Sequence, residues 1–174
     1  FDFMIELKHF FEEWGHAQES IFRLELLPEY NVPGDREFFE QWKQCPVDFE
    51  EVNKEWFALL RQTKERGVRM QRVRVVPDPL TDYIRFEFDF WKHTEKYGDE
   101  YYILRDKDYR AIRAGFDFEP EDFWFFDESA LLVFHYENGD LAEERRIIDP
   151  EIVAKHKDLK YQLLSAAIPV SEFA

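Results

Sequence analysis

Residues 66–90, RGVRMQRVRVVPDPLTDYIRFEFDF, constrain the fold more than any other stretch of this chain. Gly67 stops the helix before it, and the Val-rich run 68–76 ends at Pro77, the pattern of a buried strand. Val68, Met70, Arg72, Arg74 and Val76 alternate onto one face of that strand, so two guanidiniums interrupt an apolar row. The next segment reads two ways. From 83 to 90 the chain alternates apolar and polar at Ile84, Phe86, Phe88 and Phe90, as a strand does. Against that, Asp78-Pro79 resembles an N-cap with Pro at the first helical position, and Lys92 and Lys96 precede Gly98, where a helix dipole favours cations. Leu80, Ile84, Phe88 and Trp91 also form a helical stripe. Start and stop signals agree, so a helix is expected. The alternative is an all-antiparallel sheet with 83–90 as one of its strands.

The rest of the chain supplies partners for this unit. Met4, Leu7, Phe10, Phe11 and Trp14 have helical spacing over 3–14, and Gly15 ends that helix. Residues 20–27, SIFRLELL, read as a strand stopped by Pro28. Residues 30–34 form a turn, and a short helix runs through Phe38, Phe39 and Trp42. A helix over about 50–66 turns Trp56, Leu59, Leu60 and Thr63 inward and stops at Gly67. Residues 100–104 are the next strand, so strand, helix and strand make a βαβ unit with a right-handed crossover. Residues 105–121 read as a polar loop. Strands come next at 122–126 and 130–136, and Asn138-Gly139 signals a hairpin returning through 141–147. Asp149-Pro150 opens a last helix carrying Ile152, Val153, His156, Leu159, Leu163 and Leu164.

The expected class is α/β to α+β: a mixed sheet with packed helices, one βαβ unit and a C-terminal hairpin plus helix. The expected sheet includes 68–76, 101–104, 123–126 and 131–136. Residues 1–174 are read as one domain, with 1–45 a candidate N-terminal helical extension.

Composition decides which function classes survive. Nineteen Phe, eight Tyr and five Trp among 174 residues are enough for a substantial core and too many for a disordered chain. The formal net charge of −15 repels phosphate backbones, so direct nucleic-acid binding through a broad basic face is excluded. Such a surface suits solubility, the plainest reading, or a basic protein partner, or mimicry of DNA. Cys45 is the single cysteine, so neither an intrachain disulfide nor a thiolate metal cluster can form. No apolar run approaches the roughly 20 residues of a membrane span. The acidic, amphipathic start FDFMIELKHFFEEW is unlike a signal peptide. The expectation is a cytoplasmic protein.

Four stretches carry a resemblance: EYNVPGDREFF at 29–39, RVRVVPDPLTDYIRFEFDF at 72–90, DFWFFDE at 122–128 and FHYENGDL at 134–141. They resemble an uncharacterised bacterial family, known only as a domain of unknown function. Its members are common in actinobacteria and often encoded near helix-turn-helix regulators. The similarity runs over about 20–169, and the RVRVV-x-x-PL-x-DY-x-RFE core is its most specific part. It implies no activity. The order of elements is also similar to one half of a phospholipase D-like domain, whose chemistry needs a His and a Lys two residues later. The corresponding strand here reads Asp122-Phe123-Trp124, and the chain has no H-x-K, so the resemblance implies a layout without phosphodiesterase chemistry.

On their own merits the residues offer a polar site and no catalytic motif. No phosphate-binding Gly loop, nucleophile elbow or H-E-x-x-H occurs, and nothing names a cofactor. The five histidines lack metal-ligand spacing. His135, between Phe134 and Tyr136, is the best single candidate, although a histidine satisfied by its own surroundings is the commoner case. Arg72, Arg74, Arg85 and Glu87 are the main constellation, Glu87 falling inside the apolar arc of the expected helix. They form either an internal Arg–Glu pair that fixes helix to sheet or an arginine pocket for a phosphate or carboxylate. Trp124 belongs to an aromatic box, 123–126, that is either a doubly covered central strand or a binding patch. Two functions are consistent with these residues. One is a non-enzymatic binding or regulatory module for a protein partner, such as a DNA-binding regulator, or for a small anionic ligand. The alternative is a small hydrolase or transferase acting on an anionic metabolite, with Arg72 and Arg74 as clamp and Glu87 or His135 moving protons.

Overall fold

The computed structural model describes residues 8–32 and 34–173. Its centre is a seven-stranded mixed sheet in the order β6-β5-β4-β1-β2-β3-β7. Strands β1 (Ser20–Glu25), β2 (Arg69–Val76) and β3 (Asp99–Arg105) run parallel. On the other side of β1, strands β4 (Asp122–Phe126), β5 (Ala130–Glu137) and β6 (Asp140–Ile147) continue antiparallel, and the two-residue β7 (Ile168–Pro169) lies against β3. The expected mixed α/β to α+β architecture is therefore present, with its βαβ unit at β2 and β3.

Both faces of the sheet are covered. One carries α1 (Lys8–His16), α2 (Asp35–Trp42), α3 (Phe49–Val52), α4 (Lys54–Glu65) and α5 (Asp82–Thr94). Their Phe10, Trp14, Phe39, Phe49, Leu60, Ile84 and Trp91 pack with Met70, Ile103, Trp124 and Leu132 of the sheet. The opposite face carries α6 (Asp106–Arg113) and α7 (Pro150–Ala166), whose Tyr109, Leu159 and Leu163 meet Phe22, Val73, Phe123 and Val133. The middle strands thus have no solvent side, and any polar residue on them is enclosed. Among the described residues no helix is long and apolar enough to cross a membrane.

Parallel neighbours decide the ambiguous segment. Two parallel strands cannot be joined by a hairpin, so the chain between β2 and β3 must cross a face, and it does so as a helix. The alternating phenyl rings suit that helix because its buried arc is wide, taking in Tyr83, Ile84, Phe86, Glu87, Phe90 and Trp91. The helix starts later than the sequence suggests. Thr81, not Asp78, is the cap: its hydroxyl accepts from the Ile84 N–H at 3.2 Å. Thr81→Ala is expected to cost about 1 kcal/mol in urea unfolding. Replacing the exposed Asp78 with Ala should change stability by less than roughly 0.5 kcal/mol.

Three further expectations change. Residues 105–121 are not all loop: α6 forms there, with Asp106 and Asp108 in its first turn and Arg110 and Arg113 in its last, a charge order that complements the helix dipole. The single expected helix over 50–66 is two, interrupted at Asn53, whose side chain donates to the Phe49 carbonyl. The first helix continues through Gly15 to His16, while residues 3–7 of that expectation lie outside the described residues, as does Pro33 of the 30–34 turn. Gly98 turns the chain into β3 at φ +89°, where a Cβ would also lie 3.1 Å from Lys64 Cδ.

Candidate functional site

Beta-strand register builds the site. On the helix-rich face of the sheet, Arg23 of β1 lies beside Arg72 of β2, and Glu25 lies beside Arg74. Arg23 has Trp124 of β4 as its other neighbour, and Arg72 has Tyr101 of β3. Two adjacent strands therefore put three guanidiniums and a carboxylate into one interior patch, near the carboxyl end of β1.

Each guanidinium finds internal partners. Arg74 Nη2 donates to Glu87 Oε1 of α5 at 2.7 Å, with the two side chains 0% and 2% exposed. Its Nη1 donates to the backbone carbonyl of Leu27. Arg72 Nη1 meets Glu25 Oε1 at 2.7 Å and Nη2 meets Asp99 Oδ2 at 3.4 Å. Arg23 Nη2 meets Asp122 Oδ2 at 3.0 Å, and the Tyr30 hydroxyl donates to the same oxygen at 2.5 Å. Aromatic faces complete the enclosure. The Arg23 and Arg72 guanidinium carbons lie 5.3 and 5.1 Å from the Trp124 ring centre, and that of Arg74 lies 5.1 Å from Tyr30.

What remains open is small. A void of about 20 Å³ lies among Arg23, Glu25, Tyr30, Arg72, Glu87 and Tyr136, enough for one water molecule. Arg23 Nη1, Arg72 Nε and Arg74 Nε have no hydrogen-bond partner among the described residues. The walls come from stretches far apart in sequence: Tyr30 and Val32, then Arg72, Tyr83 and Glu87, then Tyr136, with Asp122 behind Arg23.

The match to known proteins covers all of these residues. A family model described as "Domain of unknown function (DUF6879)" matches residues 8–174. The chain belongs to this family. No curated protein matches it.

Within the DUF6879 cluster the charges are strongly biased by enclosure. Burial lifts the Glu87 carboxyl to about 8, against the pull of Arg74. Burial raises Asp99 and Asp122 as well, against Arg72 and Arg23 respectively. For Glu25 burial acts upward too, but Arg72, Arg74 and Arg23 together hold it below the ordinary carboxylate value. Burial works to lower Arg72 and Arg74, yet the surrounding carboxylates and tyrosines hold both above their usual value, so they stay cationic.

The structure brings together four of the six residues singled out from sequence: Arg72, Arg74, Glu87 and Trp124. Arg85 lies elsewhere, half-exposed on α5 and paired with Asp82 at 3.0 Å. His135 is also apart; its Nδ1 lies 2.8 Å from Glu121 Oε2 near the open end of β5. Sequence reasoning missed Arg23, Glu25, Tyr30, Asp99 and Asp122. Their signal was present in SIFRLELL, where two charges share one side of a strand, but that pattern equally describes a strand with a wet face. Among the described residues no group of three or more His, Cys, Asp or Glu side chains is placed to hold a metal ion. A separate, open cleft of about 720 Å³ lies between α4 and the end of α5, lined by Asp48, Glu50, Glu51, Lys54, Arg61 and His93. There Glu50 already accepts from Lys96 and from the Tyr97 hydroxyl.

Proposed function

We propose that the chain is a non-enzymatic binding or regulatory module of the cytoplasm that engages a protein partner through charge. The carrying observation is where the charge sits. Among the described residues, four buried cations and five buried carboxyls nearly cancel one another, so almost all of the formal −15 lies on the outer surface. A surface of that sign attracts basic surfaces at long range and repels nucleic acid. The resemblance to chains encoded beside helix-turn-helix regulators makes the basic DNA-reading face of such a regulator the favoured partner. The phospholipase D-like order of elements without its His and Lys pair is in keeping with binding rather than cleavage.

The alternative, a hydrolase or transferase with Arg72 and Arg74 clamping an anionic metabolite, has less support. Both arginines are already matched to carboxylates, and the void beside them has room for a water rather than a substrate. A small anionic ligand could enter only if the chain around Tyr30 swung away.

The test is direct binding of the purified chain to a helix-turn-helix regulator, followed by calorimetry across a salt series. Affinity should fall steeply as salt rises, because exposed charges are screened within a Debye length. Operator DNA should compete with the chain for the regulator. An absence of binding at low salt, where attraction is strongest, would remove the proposal.

A further inference from the structure

Among the described residues four carboxyls share contacts with three buried guanidiniums, an excess of one, and a fifth buried carboxyl, Asp35, stands behind Tyr83. Glu25, Glu87, Asp99 and Asp122 face Arg23, Arg72 and Arg74, and each of the seven side chains is at most 8% exposed. An unbalanced negative charge in such a place carries a heavy desolvation cost. The cluster's lowest state therefore holds at least one proton. Partner number decides which carboxyl takes it. Glu25 feels Arg72, Arg74 and Arg23. Asp122 accepts from Arg23, Tyr30 and the Leu26 N–H. Asp99 has Arg72 and Tyr101. Glu87, among the described residues, accepts from Arg74 alone.

Arg74 connects that carboxyl to the backbone segment 26–32, which closes over the void. One terminal nitrogen serves Glu87 and the other serves the Leu27 carbonyl. The segment has other ties. The Leu26 and Leu27 N–H groups donate to the Tyr30 hydroxyl, and the Asn31 N–H donates to the Gly139 carbonyl at the tip of the β5–β6 hairpin at 2.9 Å.

We propose that Glu87, Arg74 and the Leu27 carbonyl form a proton-operated latch that holds segment 26–32 over the arginine-lined chamber. With Glu87 protonated, Arg74 divides its two terminal nitrogens between Glu87 and Leu27. When Glu87 releases its proton to solvent, it becomes a carboxylate with two strong acceptor oxygens. That group draws both terminal nitrogens into a bidentate fork and takes Nη1 from Leu27. The segment, which keeps its ties at Leu26, Tyr30 and Asn31 but loses the one at Leu27, opens more readily and uncovers Arg23 Nη1.

The groups facing Glu87 are Arg23 and Glu25 of β1, Tyr30 of the segment, Arg72 and Arg74 of β2, and Tyr83 of its own helix. Behind them stand Asp35 of α2, Asp99 and Tyr101 of β3, Asp122 of β4 and Tyr136 of β5. Helix α3 meets α5 through Phe49, with Glu50 beside His93, and the C-terminal 3₁₀ turn meets it through Phe173 against Phe88. Linkage sets the sign. A carboxyl whose folded value is raised favours the closed state at low pH and loses that contribution as pH rises through about 8. Glu25, held low, titrates on the acid side and does not enter this window.

Amide hydrogen exchange on the full chain between about pH 6 and 9, corrected for intrinsic base catalysis, reads the latch directly. The opening constant at the Leu27 and Asn31 amides should rise by up to about tenfold per pH unit through the window. It should be flat in Glu87→Gln, whose side chain stays neutral. Flat exchange in the unsubstituted chain, or an unchanged slope in Glu87→Gln, overturns the latch. Infrared spectra of the unsubstituted chain with isotope-labelled glutamate give a second reading that needs no variant to fold. A protonated-carboxyl band should be present at neutral pH and vanish as pH rises, and its absence at neutral pH overturns the proposal.

Discussion

Arg74→Ala is expected to lower the unfolding free energy by roughly 3 to 5 kcal/mol, the range for removing one member of a buried, hydrogen-bonded charged cluster. Arg74 is 0% exposed, and its removal affects three groups at once. Glu87, 2% exposed, loses its one hydrogen-bonded cation, the Leu27 carbonyl loses a donor, and Glu25 loses part of the field that keeps it ionised. Urea unfolding at neutral pH measures the loss. Glu87 is protonated below about 8, so the deficit should grow as pH is raised past that value and the carboxyl must ionise without Arg74. A double change, Arg74→Met with Glu87→Leu, removes both charges together and should recover most of the lost stability, because apolar residues of similar size replace buried ion pairs at little cost. Arg85→Ala, on the exposed flank of the same helix, should change stability by less than about 0.5 kcal/mol. A loss under about 1 kcal/mol for Arg74→Ala would mean that the pair does not hold α5 to the sheet.

The same contrast explains what the sequence disclosed. Helix α5 and strand β2 were legible because their signals are local: Val density, a closing Pro, and cations before Gly98. The hairpin at Asn138-Gly139 and the helix opening at Asp149-Pro150 were legible for the same reason, and Asp149 does cap α7. Helix α6 was hidden because Tyr109 and Ile112 are its only large apolar residues, too few to form a periodic stripe. Half of the charged cluster was legible from Arg72, Arg74 and Glu87, which interrupt apolar patterns. The other half was not, because each partner arrives through strand pairing; Glu25 stands 47 residues from Arg72 and Asp122 stands 99 from Arg23. Arg23 and Glu25 alternate with Phe22 and Leu24, as on any strand with a solvent side, and only the flanking of β1 by β2 and β4 under two helix layers turns them inward. His135 shows the reverse error. Its place between two aromatic residues marked it as a candidate site residue, but β5 emerges from its cover there, with Phe134 buried, His135 half-buried and Glu137 exposed.

Trp124 separates a core role from a binding patch most sharply. Trp124→Ala is expected to cost roughly 3 to 5 kcal/mol, the range for deleting a large buried aromatic. The ring is 2% exposed at the centre of β4, with Phe10 and Trp14 of α1 at 5.0 and 5.5 Å between centroids. It is also the surface against which Arg23 and Arg72 lie, so its loss opens a hole beside two buried cations and removes their cation–π contacts. For a chain of this length a loss of that size corresponds to a fall in Tm of roughly 6 to 20 °C, readable by calorimetry. Trp124→Phe should cost less, since it keeps an aromatic face toward both arginines and removes an indole N–H that has no partner among the described residues. If Trp124 instead served a partner from the surface, Ala would leave Tm within about 2 °C and abolish binding. The enclosed geometry requires the opposite order, with stability falling first and binding lost only as a consequence.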